Sequence, residues 1–337
     1  MTNSLLRNGL SLVAFATMSL LSLLLMLGFL GRIHPAFDSI AHFRLHIAAV
    51  MMAFAAVSLL TRFWKEGLLS IVFGAAAFSA ALGYSILPGL GPVHASFQPK
   101  PEARATYRLL QLNLRFNNAL SGEVLSLIGS LRPDIVTVQE VSVMWQGKLA
   151  LLKAAYPHQF LCDGWGRIGG VAILSRRPFD AGSIPECLED GSFATAKVDL
   201  GGRHVDIASI HLHWPWPYGQ SSQLDRLTAP LSQLFRDAIL AGDLNATPWS
   251  AAADRIAEAG ELNPVPVAGS TWLYHTLPDW LRFAGLPIDQ TFAKGAVTIH
   301  SAATLDAVGS DHLPILVEFS LEPEGDEYQA STDVAWR

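Results

Sequence analysis

The sequence predicts a layered α/β domain preceded by membrane-spanning helices. Three observations carry this. Apolar residues are concentrated in the first ninety positions, and they raise the mean hydropathy of the chain to +0.31. From position 106 onward, strand-like and helix-like segments alternate, the pattern of a layered α/β domain. The predicted strands end in polar side chains, where α/β folds commonly collect ligand and catalytic groups.

The first apolar run, Leu10 to Leu30, is long enough for a hydrocarbon core that takes about 20 residues to cross. It exceeds a signal-peptide core, and no clear cleavage site follows it. A second run covers Ile47 to Leu60, extended backwards by Ala41 and Phe43, with His42, Arg44 and His46 at its mouth. A third covers Leu68 to Leu87 and stops at Pro88-Gly89. Arg62, Phe63, Trp64 and Lys65 lie between the last two, as at a membrane interface. A buried hairpin of a soluble domain is the plain alternative, but three such runs leave nothing to cover them. Residues 1–90 are therefore expected to form a membrane region with about three transmembrane helices in a lipid bilayer. The positive-inside rule barely separates the two orientations. Arg62 and Lys65, held tightly between two spans, favour an integral protein of the plasma (inner) membrane with its large domain external or periplasmic.

Residues 91–105 carry three prolines and read as a linker. Tyr107 to Asn113 is a predicted strand. Ser121 can cap a helix whose Val124, Leu125, Ile128 and Leu131 recur at helical spacing, ended by Arg132-Pro133. Further strands are Asp134–Glu140, Gly170–Ser175, Phe193–Leu200, His204–His211, Ala238–Leu240, Thr291–Ile299 and Leu313–Phe319. A helix over Gln220–Phe235 must be kinked or split by Pro230. The GxGxxG match at Gly164, Gly166 and Gly169 precedes a strand, so it lacks the geometry of a phosphate cradle. Asn245-Ala246-Thr247 fits a glycosylation sequon and carries no weight beside a candidate site. Cys162 and Cys187 are either a disulfide pair or two buried thiols. The domain ends near 320, and residues 321–337 form an acidic tail expected to be disordered.

The chain has 23 Lys+Arg against 29 Asp+Glu, with the acidic excess after residue 100. That argues against a domain gripping nucleic acid by bulk charge. The strand ends carry Asn113, Gln139-Glu140, His211 with His213 beyond it, Asp243 with Asn245, Asp289, and Asp311-His312. Two Asn, three Asp, one Glu and two or three His are the chemistry of a hard-cation phosphodiester hydrolase: carboxylates for Mg²⁺ or Mn²⁺, His and Asn for phosphate oxygens. Each has a bland reading. Asp243-Leu244-Asn245 alone is an ordinary turn, Glu140 could be solvated or paired with an Arg, and Asp289 could only begin a turn. His211 and His213 point to one face of an extended chain. His275 and His300 belong to no motif.

Taken together and in order, Leu112-Asn113, Pro133-Asp134-Ile135-Val136-Thr137-Val138-Gln139-Glu140, Val171–Ser175, Ser209-Ile210-His211-Leu212, Gly242-Asp243-Leu244-Asn245, Ile288-Asp289 and Gly309-Ser310-Asp311-His312-Leu313-Pro314 resemble the endonuclease/exonuclease/phosphatase family. The match covers about 104–320. The resemblance implies a four-layer α/β sandwich of the deoxyribonuclease I type. It also implies a hydrolase acting on phosphoric ester bonds by in-line attack of water. Glu140 would be the main metal carboxylate, with Asn113 beside it and Asp311 completing the acidic site. Asp243 would orient or deprotonate water, and Asn245 would hydrogen-bond the transition state. His312 would contact the scissile phosphate with Asp289 fixing its tautomer, and His211 would serve the transition state or leaving group. His213 remains a possible substrate contact. So do Trp214 and Trp216 of the Trp-Pro-Trp-Pro-Tyr stretch, which could stack on a base, sit in a membrane interface, or merely pack a loop rim.

The expected substrate is a phosphate ester, of nucleic acid or of a phospholipid headgroup, and no obligate protein partner is inferred. The rival readings are a catalytically inactive membrane-bound scaffold on the same fold, and a transporter or sensor acting through its spans. The spans hold almost no interior ionisable residue, which speaks against the latter.

Overall fold

The computed structural model describes residues 2–83, 96–100, 104–164 and 166–322. Four helices come first: α1 (Thr2–Leu27), α2 (Pro35–Ala41), α3 (Arg44–Ser58) and α4 (Trp64–Ala81). They close on Met18, Leu25, Ala48, Met51, Ala55 and Ala77. Their outer faces are apolar as well: Leu10, Val13, Leu20 and Leu23 of α1 and Leu68, Leu69 and Val72 of α4 are exposed. A helix apolar all round belongs in a large core or a membrane, not in water.

Of the three expected spans, the first is a single helical stretch, Asn8–Gly28, long and apolar enough to cross a membrane. The second is broken: α2 and α3 meet at 64°. The third overlaps α4, whose first turn carries Lys65 and Glu66; among the described residues only Asn8–Gly28, or that helix with the bent α2–α3 pair, is long and apolar enough to cross, and the expected continuation to Leu87 lies outside them.

The domain that follows contains, in order, β1 (Tyr107–Asn113), α5 (Ser121–Leu131), β2 (Ile135–Val141), α6 (Val143–Leu149), β3 (His158–Cys162), β4 (Gly170–Ser175), β5 (Glu186–Leu188), β6 (Phe193–Asp199), β7 (His204–His211), α7 (Gln220–Ser232), β8 (Ala238–Asp243), α8 (Ala251–Gly260), β9 (Asn263–Val265), β10 (Asp289–Lys294), β11 (Val297–Thr304) and β12 (Ile315–Leu321). The strands form two six-stranded sheets, β11-β12-β1-β2-β4-β3 and β5-β6-β7-β8-β10-β9. Leu109, Ile135, Ile207 and Ile239 pack between the sheets. Leu110, Leu112, Val136 and Val138 pack under α5 and α6. Ala208, Ile210, Ala238 and Leu240 pack under α7 and α8. Helix, sheet, sheet, helix is a four-layer α/β sandwich, and the near-continuous apolar runs of β1, β2, β7 and β8 follow from burial on both faces.

The rows facing the other sheet change character along their length. They run Leu109–Gln111–Asn113, Ile135–Thr137–Gln139, Ile207–Ser209–His211 and Ile239–Ala241–Asp243, with period two. β1 is parallel to β2 and β7 is parallel to β8. The polar ends of all four rows therefore gather at one end of the gap between the sheets. β10 runs antiparallel to β8 and begins with its polar residue, Asp289, which pairs in register with Asp243.

Three expected elements differ. Thr291–Ile299 is not one strand: β10 and β11 lie in different sheets. The crossing is made at Gly295, φ +71°, where a Cβ would meet the Arg236 carbonyl oxygen at 2.2 Å. The helix over Gln220–Phe235 stops at Ser232, with Pro230 inside its last turn. Strand β2 continues past Glu140, through a register shift between Val138 and Val141. Of the linker, Ser96–Lys100 has no regular structure and hydrogen-bonds to β11 through Gln98 N and the Ile299 carbonyl (2.9 Å). The acidic tail lies outside the described residues beyond Glu322. Cys162 and Cys187 are disulfide-bonded, which joins edge strand β3 of one sheet to edge strand β5 of the other.

Candidate active site

The polar end of the gap is a continuous hydrogen-bonded cluster spanning both sheets. Asn113, the last residue of β1, donates from Nδ2 to Asp243 Oδ2 (2.9 Å) and to Glu140 Oε1 (3.2 Å). Its own Oδ1 accepts from Arg115 N at 2.9 Å. Glu140 sits on the β2 bulge with φ +59°, a left-handed conformation that costs a non-glycine residue about 1–3 kcal/mol and clusters at functional sites. The bulge re-aims its side chain, and Phe116 N donates to its Oε2 at 2.8 Å.

Asp243 is buried at the end of β8. Asn245 N donates to its Oδ1 (2.8 Å), and the His211 and His312 Nε2 atoms lie 3.5 and 3.7 Å from its Oδ2. His312 Nδ1–H donates to Asp289 Oδ2 at 2.8 Å. Burial pushes the Asp243 carboxyl up, an effect opposed by the His312 charge and reinforced by Asp289. Burial disfavours the His312 cation, but the Asp289 and Asp243 carboxylates outweigh it and push His312 up to about 10. An imidazolium clamped by two carboxylates is the result.

Asp243, Asp289 and His312 present ligand atoms within 4.8 Å of one another. Asp311 is half-buried beside them; its charge reaches His312, and its backbone carbonyl accepts from Leu273 N. Asn245, at φ +47°, uses one Nδ2 hydrogen on the Leu212 carbonyl (2.8 Å). Asn245 and Thr247 are both buried, so the sequon is closed to glycosylation. His213 stands apart: it is exposed, and its backbone is fixed by Gln223 and Gln220. Trp214 and Trp216 are exposed at the rim, Trp214 edge-on to Trp272 with ring centres 6.0 Å apart. The GxGxxG glycines lie in the β3–β4 loop, where a Cβ on Gly169 would fall 2.1 Å from the Val141 carbonyl oxygen and one on Gly164 2.4 Å from the Gly169 carbonyl oxygen; close packing of chains explains these two, and the positive φ of Gly166, +79°, explains the third.

A second tier holds these groups. Gln111 Nε2 donates to Asp289 Oδ1 (3.1 Å) and to Gln139 Oε1 (2.9 Å). Gln139 in turn donates to Ser209 Oγ at 3.1 Å. Ser310 Oγ donates to the Asn113 carbonyl (2.7 Å) and accepts from His312 N (3.1 Å). Thr271 Oγ1 accepts from Asp289 N at 3.0 Å. Gln111 and Ser209 lie two residues before Asn113 and His211, so strand periodicity alone places them on the same face; Thr271 has no such signal.

Two carboxylates and a histidine coupled across a buried gap, beside a bulged glutamate and an asparagine, define a phosphoester hydrolase on a deoxyribonuclease I-like α/β sandwich. The sequence profile of the Endonuclease/Exonuclease/phosphatase family matches residues 110–312, and the chain belongs to that family. Among solved structures, the endonuclease/exonuclease/phosphatase from Beutenbergia cavernae DSM 12333 is similar at 21% identity and a TM-score of 0.52, over 65% of this chain and 72% of that one. Humanized D. rerio TDP2 is similar at 20% identity and a TM-score of 0.51, over 64% and 98%. D. rerio TDP2 complexed with single strand DNA product is similar at 18% identity and a TM-score of 0.51, over 64% and 99%. These likenesses concern the fold. No curated protein matches the sequence.

Proposed function

We propose that the chain is a membrane-anchored, divalent-metal-dependent phosphodiesterase or phosphatase, with residues 1–90 as anchor, 91–105 as linker and 106–320 as catalytic domain. The observation that carries the reading is the Asn113–Glu140–Asp243–His312–Asp289 cluster joining both sheets. The donor set suits a hard cation, Mg²⁺ or Mn²⁺: the carboxylate oxygens of Glu140, Asp243, Asp289 and Asp311 dominate it. Glu140 and Asp311 would hold the ion, and Asn113 would orient Glu140 through its amide. His312 is the poorer ligand, because Asp289 occupies its Nδ1 and the two carboxylates favour its charged form. When bound, the metal neutralises charge developing on the phosphoryl oxygens.

The chain's own groups supply the rest. Asp243, pushed up by burial, orients and deprotonates the attacking water. The His312 cation, held in place by Asp289, faces the phosphate oxygens, and the remaining Asn245 Nδ2 hydrogen is free to join it. His211, beside Asp243, serves the transition state or leaving group. The Cys162–Cys187 bond supports an external or periplasmic domain, since disulfides persist in oxidising compartments.

The test is hydrolysis of bis-p-nitrophenyl phosphate by the full-length protein with Mg²⁺, Mn²⁺ or EDTA. Asp243→Ala is expected to lower the rate about 10²–10⁴-fold, the usual contribution of a positioned base. Activity that survives EDTA, or full activity in Asp243→Ala, would overturn the reading.

A further inference from the structure

We propose that the aromatic rim of the active site sits in the headgroup layer of the bilayer, and that the substrate is a phosphate ester of a membrane lipid. This rests on the reading just given, that the helices span a membrane and the cluster hydrolyses phosphoesters.

Two loops form the rim. One is the Trp214–Tyr218 stretch; the other is the short 3₁₀ segment Asp279–Ala284. Trp214 is 54% exposed, Trp216 51%, Trp280 72% and Phe283 81%. Four exposed aromatic side chains on two loops are more than the single exposed apolar residues an ordinary surface scatters, and Trp and Tyr are enriched where hydrocarbon meets water.

Both loops are tied to the same level of the helical region, the break between α1 and α3. Ser39 Oγ, in α2, donates to the Trp216 carbonyl at 2.9 Å. The His34 and Trp216 rings meet edge to face at 6.4 Å. His46, in the first turn of α3, bonds through Nε2 to the Ala284 carbonyl at 2.8 Å. The end of α1 and the start of α3 are where these helices would leave the hydrocarbon, and α2, bent 64° from α3, turns off the span direction there. Further bonds fix the domain in this pose. Asp38 accepts from Ala251 N (2.7 Å) and Ala252 N (3.0 Å) at the start of α8, and Arg32 pairs with Asp254 and Glu258.

The rim is also continuous with the catalytic cluster. Trp214 packs on Trp272, and Trp272 bridges to His312. A lipid phosphate at headgroup depth is therefore the ester nearest the site. The acidic balance of the chain does not suit the competing occupant, a nucleic acid whose bases would stack on the same rings.

The experiment uses the full-length protein in nanodiscs. Phe283→Cys, labelled with an environment-sensitive fluorophore, is expected to give blue-shifted emission, quenched by doxyl-labelled phosphatidylcholine and shielded from iodide. Quenching by iodide and not by the doxyl lipid would overturn the placement of the rim. In a second arm, wild type and Trp280→Ser/Phe283→Ser are compared on bis-p-nitrophenyl phosphate, on single-stranded DNA, and on phosphatidylcholine, phosphatidylglycerol and phosphatidic acid in the disc. The expected result is an unchanged rate on the soluble ester and a fall of about tenfold or more on the bilayer lipid, from lost interfacial affinity. Equal lipid rates in both proteins, release from none of the three lipids, or cleavage of DNA alone would sink the lipid reading. Loss of hydrolysis of the soluble ester by wild type would instead fail the catalytic reading beneath it, while the quenching arm still decides where the rim lies.

Discussion

His312 shows how burial and pairing compete at a single side chain. Burial alone would neutralise it, yet Asp289 and Asp243 keep it charged and push it up to about 10. A histidine raised in this way contributes stability that is complete below its ordinary value of 6.5 and is lost as pH rises through about 10. Asp289→Asn removes the main partner, so the His312 value is expected to fall and the alkaline loss of stability to begin at lower pH. Imidazole ¹³C shifts of metal-free, histidine-labelled protein would report it, and an unmoved titration would show that Asp289 does not set the charge. Glu140 makes a second case. Glu140→Gln keeps the bulge and the Phe116 N contact but drops the charge, and is expected to weaken Mn²⁺ binding, followed calorimetrically, by about 10-fold or more. Glu140 was legible in the sequence because it ends an apolar run, and His312 because Asp311-His312 stands just before one. Gln111 and Ser209 were equally legible by period two. The left-handed φ of Glu140 was not, since nothing in Val138-Gln139-Glu140-Val141 marks a bulge.

Helix α8 went unforeseen because its alanine-rich sequence carries few large apolar residues, and its start depends on contacts distant in sequence. Ser250 Oγ accepts from Ala253 N at 3.1 Å, and Asp38, more than two hundred residues away, takes the two preceding amides. A carboxylate there satisfies orphan donors and meets the positive end of the helix. Asp38→Ala is expected to cost about 0.5–2 kcal/mol locally, the range for a lost cap, seen as faster hydrogen exchange at Ala251 and Ala252; unchanged exchange would mean that Ser250 suffices. The strands behaved similarly. Those buried on both faces were read from their apolar runs, whereas the short edge strands β5 and β9 bury too little to leave a pattern, and the break at Gly295 is marked only by the Lys294-Gly295 pair within an otherwise strand-like run. The edges matter for another reason. Edge strands β3 and β5 are held by Cys162–Cys187, and replacing both with Ser is expected to cost about 2–5 kcal/mol, measured as a lower unfolding midpoint with the metal-dependent rate retained at low temperature. An unshifted midpoint would show the sheet packing to be sufficient alone.

For the molecule as a whole, charge and redox chemistry bear on the same question, the side of the membrane on which the domain lies. Charge is nearly silent: Arg62 and Lys65 at the α3–α4 turn favour that turn inside, while Arg32 and Arg44 at the other end weigh against it. The disulfide favours the external side. A pair joining the two sheets of the catalytic domain needs an oxidising compartment to form and persist, and an even number of short crossings before that domain would return it to the reducing side. Contacts from Arg32, Asp38 and His46 to the domain place the end of α1 and the start of α3 on the domain's own side. In the proposed orientation α1 would cross outward, α3 inward and α4 outward, with Lys65 at the α3–α4 turn inside. External protease added to spheroplasts is then expected to degrade the domain. A maleimide reagent should find no free thiol until a reductant is added. A domain protected in spheroplasts and cut only in inverted vesicles would reverse the orientation, and with it the explanation of the disulfide.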